Sequence, residues 1–364
     1  MALEFSKNNE DLSRIKVIGI GGAGNNVINT MIENELEGVK FLAVNTDLQD
    51  LRSCATENRL QIGDELVHGL GAGGDPEIGR KSAEVDYESV EKSVKNTDVV
   101  ILTGGMGGGT GTGALPIFAK AARESDVLSV AIVTYPFDFE GPIRKQSADE
   151  GIEELQQNTN ALIVIQNDKI KKFYNDINAF EAFKKADFVQ YNAAKTLTDI
   201  ISKEGYMNVD LSDVKNVMSE MGYALIGLGK GKGEDRAIKA VNTAVAHPLM
   251  YSIALENSKA ILVNISVGYD LSVSEYEKIM KIIYEKADEN ANIIHGLRLE
   301  KDMKDVIHVA VVATGIPQED ISQQPIEHTI EEKTAEKEKE EINSILKRIN
   351  STEKLSQENS QTGE

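Results

Sequence analysis

The chain has 364 residues, and its 39 Lys and Arg against 59 Asp and Glu give a formal net charge of −20. This charge disfavours a nucleic-acid-binding protein, because such proteins bind mainly by neutralising phosphates with Lys and Arg. One cysteine and five scattered histidines exclude an intrachain disulfide and a structural zinc site, while 41% hydrophobic residues suffice for the cores of about two globular domains.

The first half of the chain is predicted to be a Rossmann-like α/β domain. Short β-branched runs alternate with helical patterns, which is typical of a parallel sheet covered by helices on both faces. The predicted strands are residues 15–20, 40–45, 99–103, 128–134 and 161–165. We expect this domain to span residues 14–178, after a flexible N-terminus at residues 1–13.

A long helix and a smaller domain are predicted to follow. Apolar and small residues recur at spacings of three and four from residue 180 to residue 203, which predicts a central helix over residues 179–205. Further strands are predicted at residues 223–228, 260–267, 292–299 and 306–313, with helices at residues 235–246 and 274–287. This pattern indicates a smaller α/β domain with a mixed sheet at residues 206–316. Residues 317–364 are mostly Gln, Glu, Lys and Thr, so we expect a disordered acidic linker and tail.

A glycine-rich turn follows the first predicted strand and opens a helix. Residues 19–24 fit the G-x-G-x-x-G pattern of dinucleotide-binding turns, in which glycines let the backbone approach a phosphate at a helix N-terminus. The predicted phosphate contacts are Gly21, Gly22 and Gly24, and Asp47 has the position of a ribose-binding acid. Taken alone, this pattern indicates an NAD-dependent dehydrogenase; a turn that only packs a helix on the sheet is the other interpretation.

A second loop, residues 104–113, has seven glycines in ten positions between a strand and a helix. Ordering glycine is costly in backbone entropy, so a simple turn would not need so many of them. The loop contains no Lys and therefore is not a Walker P-loop. Its predicted phosphate contacts are Gly105, Gly107, Gly108, Gly109, Thr110 and Gly111. A third turn at residues 69–74, with Gly71 and Gly73, makes a nucleoside triphosphate more plausible than a dinucleotide.

Two pairs of charged residues each have two possible roles, one structural and one functional. Asp210 and Asp213 have the spacing of a helix capping box, and spacing alone favours that structural role over a catalytic carboxylate pair. Glu140 and Arg144 follow a predicted strand on the edge of the sheet where ligands bind in α/β folds. They are expected either to contact a nucleotide sugar or to form an exposed ion pair.

The motif at residues 107–113, Gly-Gly-Gly-Thr-Gly-Thr-Gly, resembles the signature of the tubulin/FtsZ family. The turn at residues 21–25, the segments 45–47, 167–168 and 208–213, and Glu140 and Arg144 occur in the family's order and spacing, so the resemblance covers about residues 15–316. It implies a GTP-binding domain, GTP or GDP with Mg²⁺ as cofactors, and no metal held by protein side chains. The further nucleotide contacts implied by the resemblance are Asn25, Asn45, Thr134, Pro136, Asn167, Phe183 and Asp187, with Asn167 and Asp187 contacting guanine and Phe183 stacking on it.

The resemblance also implies a self-assembling GTPase of cell division, with Asp210, Asp213 and Asn208 as catalytic residues. Geometry indicates that these residues serve a neighbouring subunit. If Asp187 contacts the nucleotide, Lys203 lies 16 residues further along the helix, so Asp210 is at least ~24 Å away. A catalytic carboxylate must approach within ~3 Å of its water, so subunits are expected to stack head to tail in an open filament.

Localisation and partners complete the expectations. The N-terminus lacks signal-peptide features and no apolar run approaches the ~20 residues of a membrane span, so we expect a cytoplasmic protein without direct membrane insertion, forming a ring at the division site. Ile342, Ile345, Leu346 and Ile349 fall at helical spacing, which predicts a segment that folds into a helix only when it binds a division adaptor or membrane tether. An unstructured, solubilising tail is the other interpretation of this segment. For the activity, the other interpretation is a tubulin-like scaffold that binds nucleotide without hydrolysing it.

Overall fold

The structure is a computed structural model that describes residues 14–174, 177–202, 206–207, 210–218, 222–247, 255–300 and 303–317. The predicted N-terminal segment 1–13 and residues 318–364 of the predicted tail lie outside these ranges. The described residues form twelve α-helices and one ten-stranded sheet with the order β3-β2-β1-β4-β5-β6-β7-β10-β8-β9.

The first half of the chain forms the parallel part of this sheet. Its strands are β1 (Ile15–Ile20), β2 (Val39–Asn45), β3 (Arg59–Gln61), β4 (Val99–Gly105), β5 (Leu128–Tyr135) and β6 (Ala161–Gln166). Its helices are α1 (Gly21–Glu33), α2 (Leu48–Ser53), α3 (Asp64–Val67), α4 (Pro76–Val85), α5 (Tyr87–Val94), α6 (Thr110–Glu124), α7 (Pro142–Asn158) and α8 (Asn167–Tyr174). The predicted parallel α/β architecture is confirmed, and the structure adds the three-residue strand β3 and shows four helices, α2 to α5, between β2 and β4.

The predicted central helix is present as α9 (Ala179–Ser202), and the second half of the chain follows it. This half contains α10 (Leu211–Met218), β7 (Gly222–Lys232), α11 (Arg236–Val245), β8 (Ala260–Val267), α12 (Val273–Lys286), β9 (Asn292–Leu299) and β10 (Val306–Ile316). Strand β10 is antiparallel to β7 and β8, and β8 is parallel to β9, so this part of the sheet is mixed, as expected. The two parts join where β6 pairs with β7 at two residue pairs, Ala161 with Gly222 and Leu162 with Tyr223.

The predicted strand at residues 223–228 differs most from the structure, because β7 continues to Lys232, through Gly229 and Gly231. A Cβ added to Gly229 would lie 1.9 Å from the carbonyl oxygen of Ala240, and one added to Gly231 would lie 1.8 Å from that of Arg236. These glycines therefore serve a strand on which α11 packs directly, rather than a turn.

The central strands are buried on both faces, as expected for a parallel sheet between two helical layers. On β4, Val100 and Leu102 belong to the apolar cluster that includes α6, whereas Val99 and Ile101 belong to the cluster that includes α9. Parallel pairing aligns Ile20 with Val44, Gly105 with Thr134, and Tyr135 with Gln166. The carboxyl ends of β1, β2, β4, β5 and β6 therefore meet at one edge of the sheet, where ligands of such folds bind.

Candidate functional site

The first glycine turn and the second glycine loop pack against each other at this edge. Gly21 has a left-handed φ of 73°, and a Cβ added to it would lie 3.0 Å from the backbone nitrogen of Gly111. A Cβ on Gly24 would lie 2.6 Å from the carbonyl oxygen of Thr103. Both glycines are thus required for close packing, in addition to any contact with a ligand.

Within the second loop, Gly107 and Gly109 pack closely against other elements, whereas Gly108 faces open space. A Cβ on Gly107 would lie 2.6 Å from the carbonyl oxygen of Arg144, and one on Gly109 would lie 2.9 Å from the Cβ of Ala72. The backbone N–H of Gly107 donates to Thr112 Oγ1 at 2.8 Å. At Gly108, by contrast, no heavy atom of the described residues lies within 4 Å of an added Cβ. The loop therefore presents backbone to open space next to the N-terminus of α6 with its unpaired N–H groups, and we call this space at the sheet edge the cleft.

Two threonine hydroxyls join neighbouring elements of this cleft. Thr46 Oγ1, just after β2, lies 2.6 Å from Thr110 Oγ1 at the start of α6, and both side chains are buried. Thr134, at the end of β5, accepts a hydrogen bond at its carbonyl oxygen from the backbone N–H of Met106 at 2.9 Å. Pro136 follows β5 and is buried at the same edge. These contacts fix the second loop against β2 and β5.

Asp47 caps a helix beside the third glycine turn. Its Oδ1 accepts hydrogen bonds from the backbone N–H groups of Gln49 at 2.8 Å and Asp50 at 3.1 Å, so the residue is the N-cap of α2. The glycines at positions 69, 71, 73 and 74 all have left-handed φ angles. A Cβ on Gly71 would lie 3.5 Å from Asp47 Oδ2, which places this carboxylate at the turn. A ribose contact by Asp47 remains a prediction.

Asp50 contacts the candidate site, although the sequence did not indicate it. Its Oδ2 accepts hydrogen bonds from Asn45 Nδ2 at 2.6 Å and from Asn25 Nδ2 at 3.4 Å, and burial raises the pKa of its carboxyl group above the usual range. A Cβ on Gly22 would lie 3.3 Å from the same oxygen. Asp50 thus contacts the first turn through Asn25 and lies next to Gly22. The other polar atom of the Asn25 amide, Oδ1, is buried without a hydrogen-bond partner in the described part of the chain. Asp50 lies in the first turn of the short helix α2, and nothing in the sequence around it indicates this role.

Aromatic side chains form one wall of the cleft. The buried ring of Phe137 stacks on Phe139 with centroids 4.8 Å apart, and Phe183 of α9 meets Phe137 edge-on at 5.1 Å. Asp187 lies one turn after Phe183 on α9, and burial raises the pKa of its carboxyl group to about 7. Asn167, at the start of α8, is 5% exposed and its Oδ1 has no hydrogen-bond partner among the described residues. Buried polar atoms without partners are rare in folded proteins, so Asn167 Oδ1 is available to accept a hydrogen bond from a ligand.

Glu140 and Arg144 form the ion pair that the sequence left as one of two interpretations. Glu140 Oε2 accepts a hydrogen bond from Arg144 Nη1 at 2.6 Å, and Glu140 Oε1 accepts one from the backbone N–H of Phe137 at 2.9 Å. The Glu140 side chain is largely buried, whereas that of Arg144 is exposed. Glu140 therefore orients the loop that carries the aromatic wall, and a sugar contact remains a prediction.

Asp210 and Asp213 lie apart from this cleft. Asp210 accepts a weak backbone hydrogen bond from Ser212 at its Oδ1, 3.4 Å away, and its carbonyl oxygen accepts one from the N–H of Asp213 at 2.9 Å. Asp210 thus has the position of an N-cap of α10, with one long side-chain hydrogen bond, and its side chain is exposed. Asn208, the third predicted catalytic residue, lies outside the described residues. Helix α9 separates the pair from the cleft, because its 24 residues span about 36 Å.

Within the described ranges, no group of three or more His, Cys, Asp or Glu side chains is arranged to hold a metal ion. None of the helices in those ranges combines the length and apolar character needed to cross a lipid bilayer.

Comparisons with known proteins agree with this geometry. Residues 14–175 match the tubulin/FtsZ family GTPase domain, and residues 222–317 match the FtsZ family C-terminal domain. The cell division protein FtsZ of Pseudomonas aeruginosa is 45% identical over 314 residues, which cover 86% of this chain and 80% of that protein. The FtsZ of Caulobacter vibrioides is 43% identical over 324 residues, covering 89% of this chain but only 64% of the relative's length.

A solved structure of FtsZ from M. jannaschii, described as an empty dimer, superposes with a TM-score of 0.78 at 37% identity, covering 87% of this chain and 94% of that one. The GTPase-domain match and the C-terminal-domain match thus indicate the same family for both halves of the chain. The chain therefore belongs to the tubulin/FtsZ family.

Proposed function

We propose that this protein is a GTPase of cell division that binds GTP in the cleft, assembles head to tail into filaments and hydrolyses GTP between subunits. The observation that carries the proposal is the convergence of three glycine turns at one sheet edge, with the Gly108 backbone facing open space. The match to a GTPase-domain model over residues 14–175 favours a guanine nucleotide over the NAD of the dehydrogenase interpretation. Relatives named cell division protein FtsZ support the cellular role.

The phosphates bind on the glycine side of the cleft in this proposal. Backbone N–H groups and the α6 N-terminus supply the positive electrostatic potential that a Lys supplies in a P-loop. The residues on this side are Gly21, Gly22, Gly24, Asn25, Asn45, Asp47, Gly71, Gly73, Gly105, Gly107, Gly108, Gly109, Thr110 and Gly111. Because the described residues offer no carboxylate cluster, Mg²⁺ fits as an ion held by the phosphates and water, where it would neutralise phosphate charge.

The base and sugar bind on the aromatic side. Guanine has adjacent N1–H and N2–H donors, and the Asp187 carboxylate would accept both, while the unpartnered Asn167 Oδ1 supplies a further acceptor. Phe183 is 43% exposed, which leaves a ring face available for stacking on a base. Glu140 and Arg144, with Thr134 and Pro136, lie at the end of β5 where the sugar would bind.

Protonation of Asp187 should make guanine affinity depend on pH. Only the ionised carboxylate accepts from both guanine donors, and in the free protein the pKa of this group is raised to about 7. We therefore expect GTP affinity to be constant above pH 7 and to fall about tenfold for each pH unit below it. Fluorescence titrations from pH 5.5 to 8.5 would measure this dependence.

The matched control is Asp187→Asn, because the phosphates of GTP titrate equally with both proteins. The variant should bind GTP weakly at pH 8 and show no additional fall towards pH 6. Parallel pH profiles for the two proteins would contradict the assignment of guanine to Asp187.

Head-to-tail assembly is supported by exposed apolar side chains at both ends of the molecule. Leu70 and Ile143, beside the glycine turns, are 84% and 80% exposed, and Phe139 on the aromatic wall is also exposed. At the other end, Tyr206 is 78% exposed and Met207 is 41% exposed, and Asp210 follows them in sequence. Apolar surface of this kind is typical of protein interfaces. A subunit that covers the cleft with its Asp210 end would bury both sets and extend an open filament.

The experiment that tests this function is GTP turnover as a function of protein concentration. If the active site forms between subunits, turnover per subunit should rise above a threshold concentration, in step with light scattering by filaments. A specific activity that stays flat down to high dilution would show that each subunit hydrolyses alone. GTP-dependent scattering without phosphate release would instead support the non-hydrolysing scaffold.

The tail is proposed to bind a division adaptor or membrane tether and so to hold filaments in a cytoplasmic ring at the division site. The predicted domain limits, residues 14–178, 179–205 and 206–316, place this tail outside both globular halves. Removing residues 318–364 should leave GTP turnover and filament scattering within about twofold, because the sheet ends with β10 at Ile316.

The combined change Ile345→Glu and Leu346→Glu tests the same segment without shortening the chain. A fluorescent fusion with these substitutions should no longer localise to the division site in cells, while the purified protein still assembles with GTP. Loss of assembly in the truncated protein would assign the tail to the filament contact instead.

A further inference from the structure

One polar contact connects the aromatic side of the cleft with the glycine side. Thr103, on β4, donates a hydrogen bond from Oγ1 to Gln190 Oε1 of α9 at 2.6 Å, and both residues are 0% exposed. Thr103 immediately precedes Gly104 and Gly105, the end of β4 that leads into the second glycine loop. Its carbonyl oxygen also supports the first turn, since it lies 2.6 Å from a Cβ placed on Gly24.

Gln190 occupies a defined position on the nucleotide face of α9. It follows Asp187 by three residues and Phe183 by seven, and residues at these spacings lie on one face of a helix. Exposure decreases along this face, from the partly exposed Phe183 through the half-buried Asp187 to the fully buried Gln190. The residues proposed to bind guanine are thus about two helical turns or less from the contact with β4.

The contacts of α9 with β4 next to this bond are apolar, and the ion pair of α9 with the sheet, Asp199 to Arg298 of β9, lies nine residues further along the helix. Val99 and Ile101, which share the sheet face of Thr103, belong to one cluster with Ala186, Ala193, Ala194 and Leu197 of α9. Contacts of this kind are non-directional, and small alanine side chains leave the rotation and the axial position of a helix weakly specified. A buried hydrogen bond has a defined geometry, so it can specify the position that apolar contacts leave open.

We propose that Gln190 is a positioning residue that holds the guanine-binding face of α9 at a fixed distance from the phosphate-binding loops. This inference rests on the proposed GTP site. GTP must contact both sides of the cleft at once, and a ligand held at two points gains affinity only when the two subsites have the correct spacing. The Thr103–Gln190 hydrogen bond sets that spacing by joining α9 to the strand that carries the second loop.

The bond is not explained by stability alone. Gln190 Nε2 is buried and has no hydrogen-bond partner in the described structure. Rotating the amide by 180° would exchange the two atoms and leave the oxygen without a partner instead. A buried amide that is half satisfied destabilises the folded state relative to one whose hydrogen bonds are all made. An apolar side chain would avoid this cost, so the geometry points to a role for Gln190 in positioning.

The test uses Gln190→Met, Thr103→Val and the double variant, which remove the amide, the hydroxyl and both. Thr198→Val is the matched control, because Thr198 is fully buried on the same helix and its hydroxyl has no partner among the described residues. Affinities are measured for GTP, for guanosine and for tripolyphosphate, together with the melting temperature. Binding of GTP by the unaltered protein tests the proposed site itself, so a failure there is distinguishable from a failure of this inference.

We expect each of the three variants to bind GTP about tenfold more weakly, while guanosine and tripolyphosphate affinities change less than twofold. The double variant should recover the melting temperature that the single variants lose, because it leaves no unpaired polar atom at this position, yet its GTP affinity should stay low. The control should match the unaltered protein in all three affinities. Recovery of GTP affinity together with the melting temperature would make the bond merely structural and overturn the proposal, and so would a loss of guanosine affinity equal to that of GTP. If Gln190→Met does not fold, Thr103→Val and the double variant give the same comparison.

Discussion

Gly108→Val is expected to lower GTP affinity by about 100-fold or more without changing the melting temperature. No described heavy atom lies within 4 Å of the added Cβ, and the φ of Gly108 is not in the left-handed region, so the fold can accept the side chain. The valine methyl groups would instead fill the space through which a phosphate approaches the backbone N–H groups. Fluorescence titration with GTP and thermal unfolding would measure the two quantities.

The neighbouring Gly109→Val provides the contrast. Its Cβ would lie 2.9 Å from the Cβ of Ala72 and 3.0 Å from the backbone nitrogen of Asp75, so the turn at residues 69–75 must move. We expect this variant to lose about 1–3 kcal/mol of stability, as overpacked positions do. Normal GTP affinity in Gly108→Val would show that the phosphates bind elsewhere, whereas a melting temperature as low as that of Gly109→Val would show that the position is not open.

Asp210→Ala and Asp213→Ala are each expected to lower GTP turnover at least about 100-fold while leaving the GTP affinity of the isolated subunit unchanged. The reason is distance, because the 24-residue helix α9, about 36 Å long, lies between the residues before it at the cleft and the start of α10. Within one subunit neither carboxylate reaches the bound nucleotide. Phosphate release at filament-forming concentration and GTP titration at high dilution would measure the two properties.

Mixing two inactive variants distinguishes a shared site from an indirect effect. Asp210→Ala retains an intact cleft, and Gly108→Val retains an intact Asp210, so a contact between the two recreates one complete site. We expect the mixture to hydrolyse GTP although neither variant does so alone. If the mixture is as inactive as its components, the carboxylates do not act on a neighbour's nucleotide, and equal losses of affinity and turnover in Asp210→Ala would place them in the subunit's own site.

Particular elements show how far the sequence could predict this site. The first glycine turn and the second glycine loop were located correctly because each follows a β-branched strand and opens a helix, and such patterns involve residues close together in sequence. The end of β7 was wrong because Gly229 and Gly231 are explained only by the α11 backbone that lies on them. Asp50 was missed because its two amide partners, Asn25 and Asn45, belong to other elements.

The sequence by itself determined the parallel α/β architecture, the long central helix and the strand ends at which the first glycine turn and the second glycine loop lie. Backbone preference and hydrophobic periodicity are local properties, so they can be read along the chain. Only the tertiary structure decided that Gly108 faces open space, that burial raises the pKa of Asp187 to about 7, and that Thr103 and Gln190 meet between sheet and helix. Each of these depends on which distant residues exclude water or approach within hydrogen-bond distance, and that is fixed by packing in three dimensions.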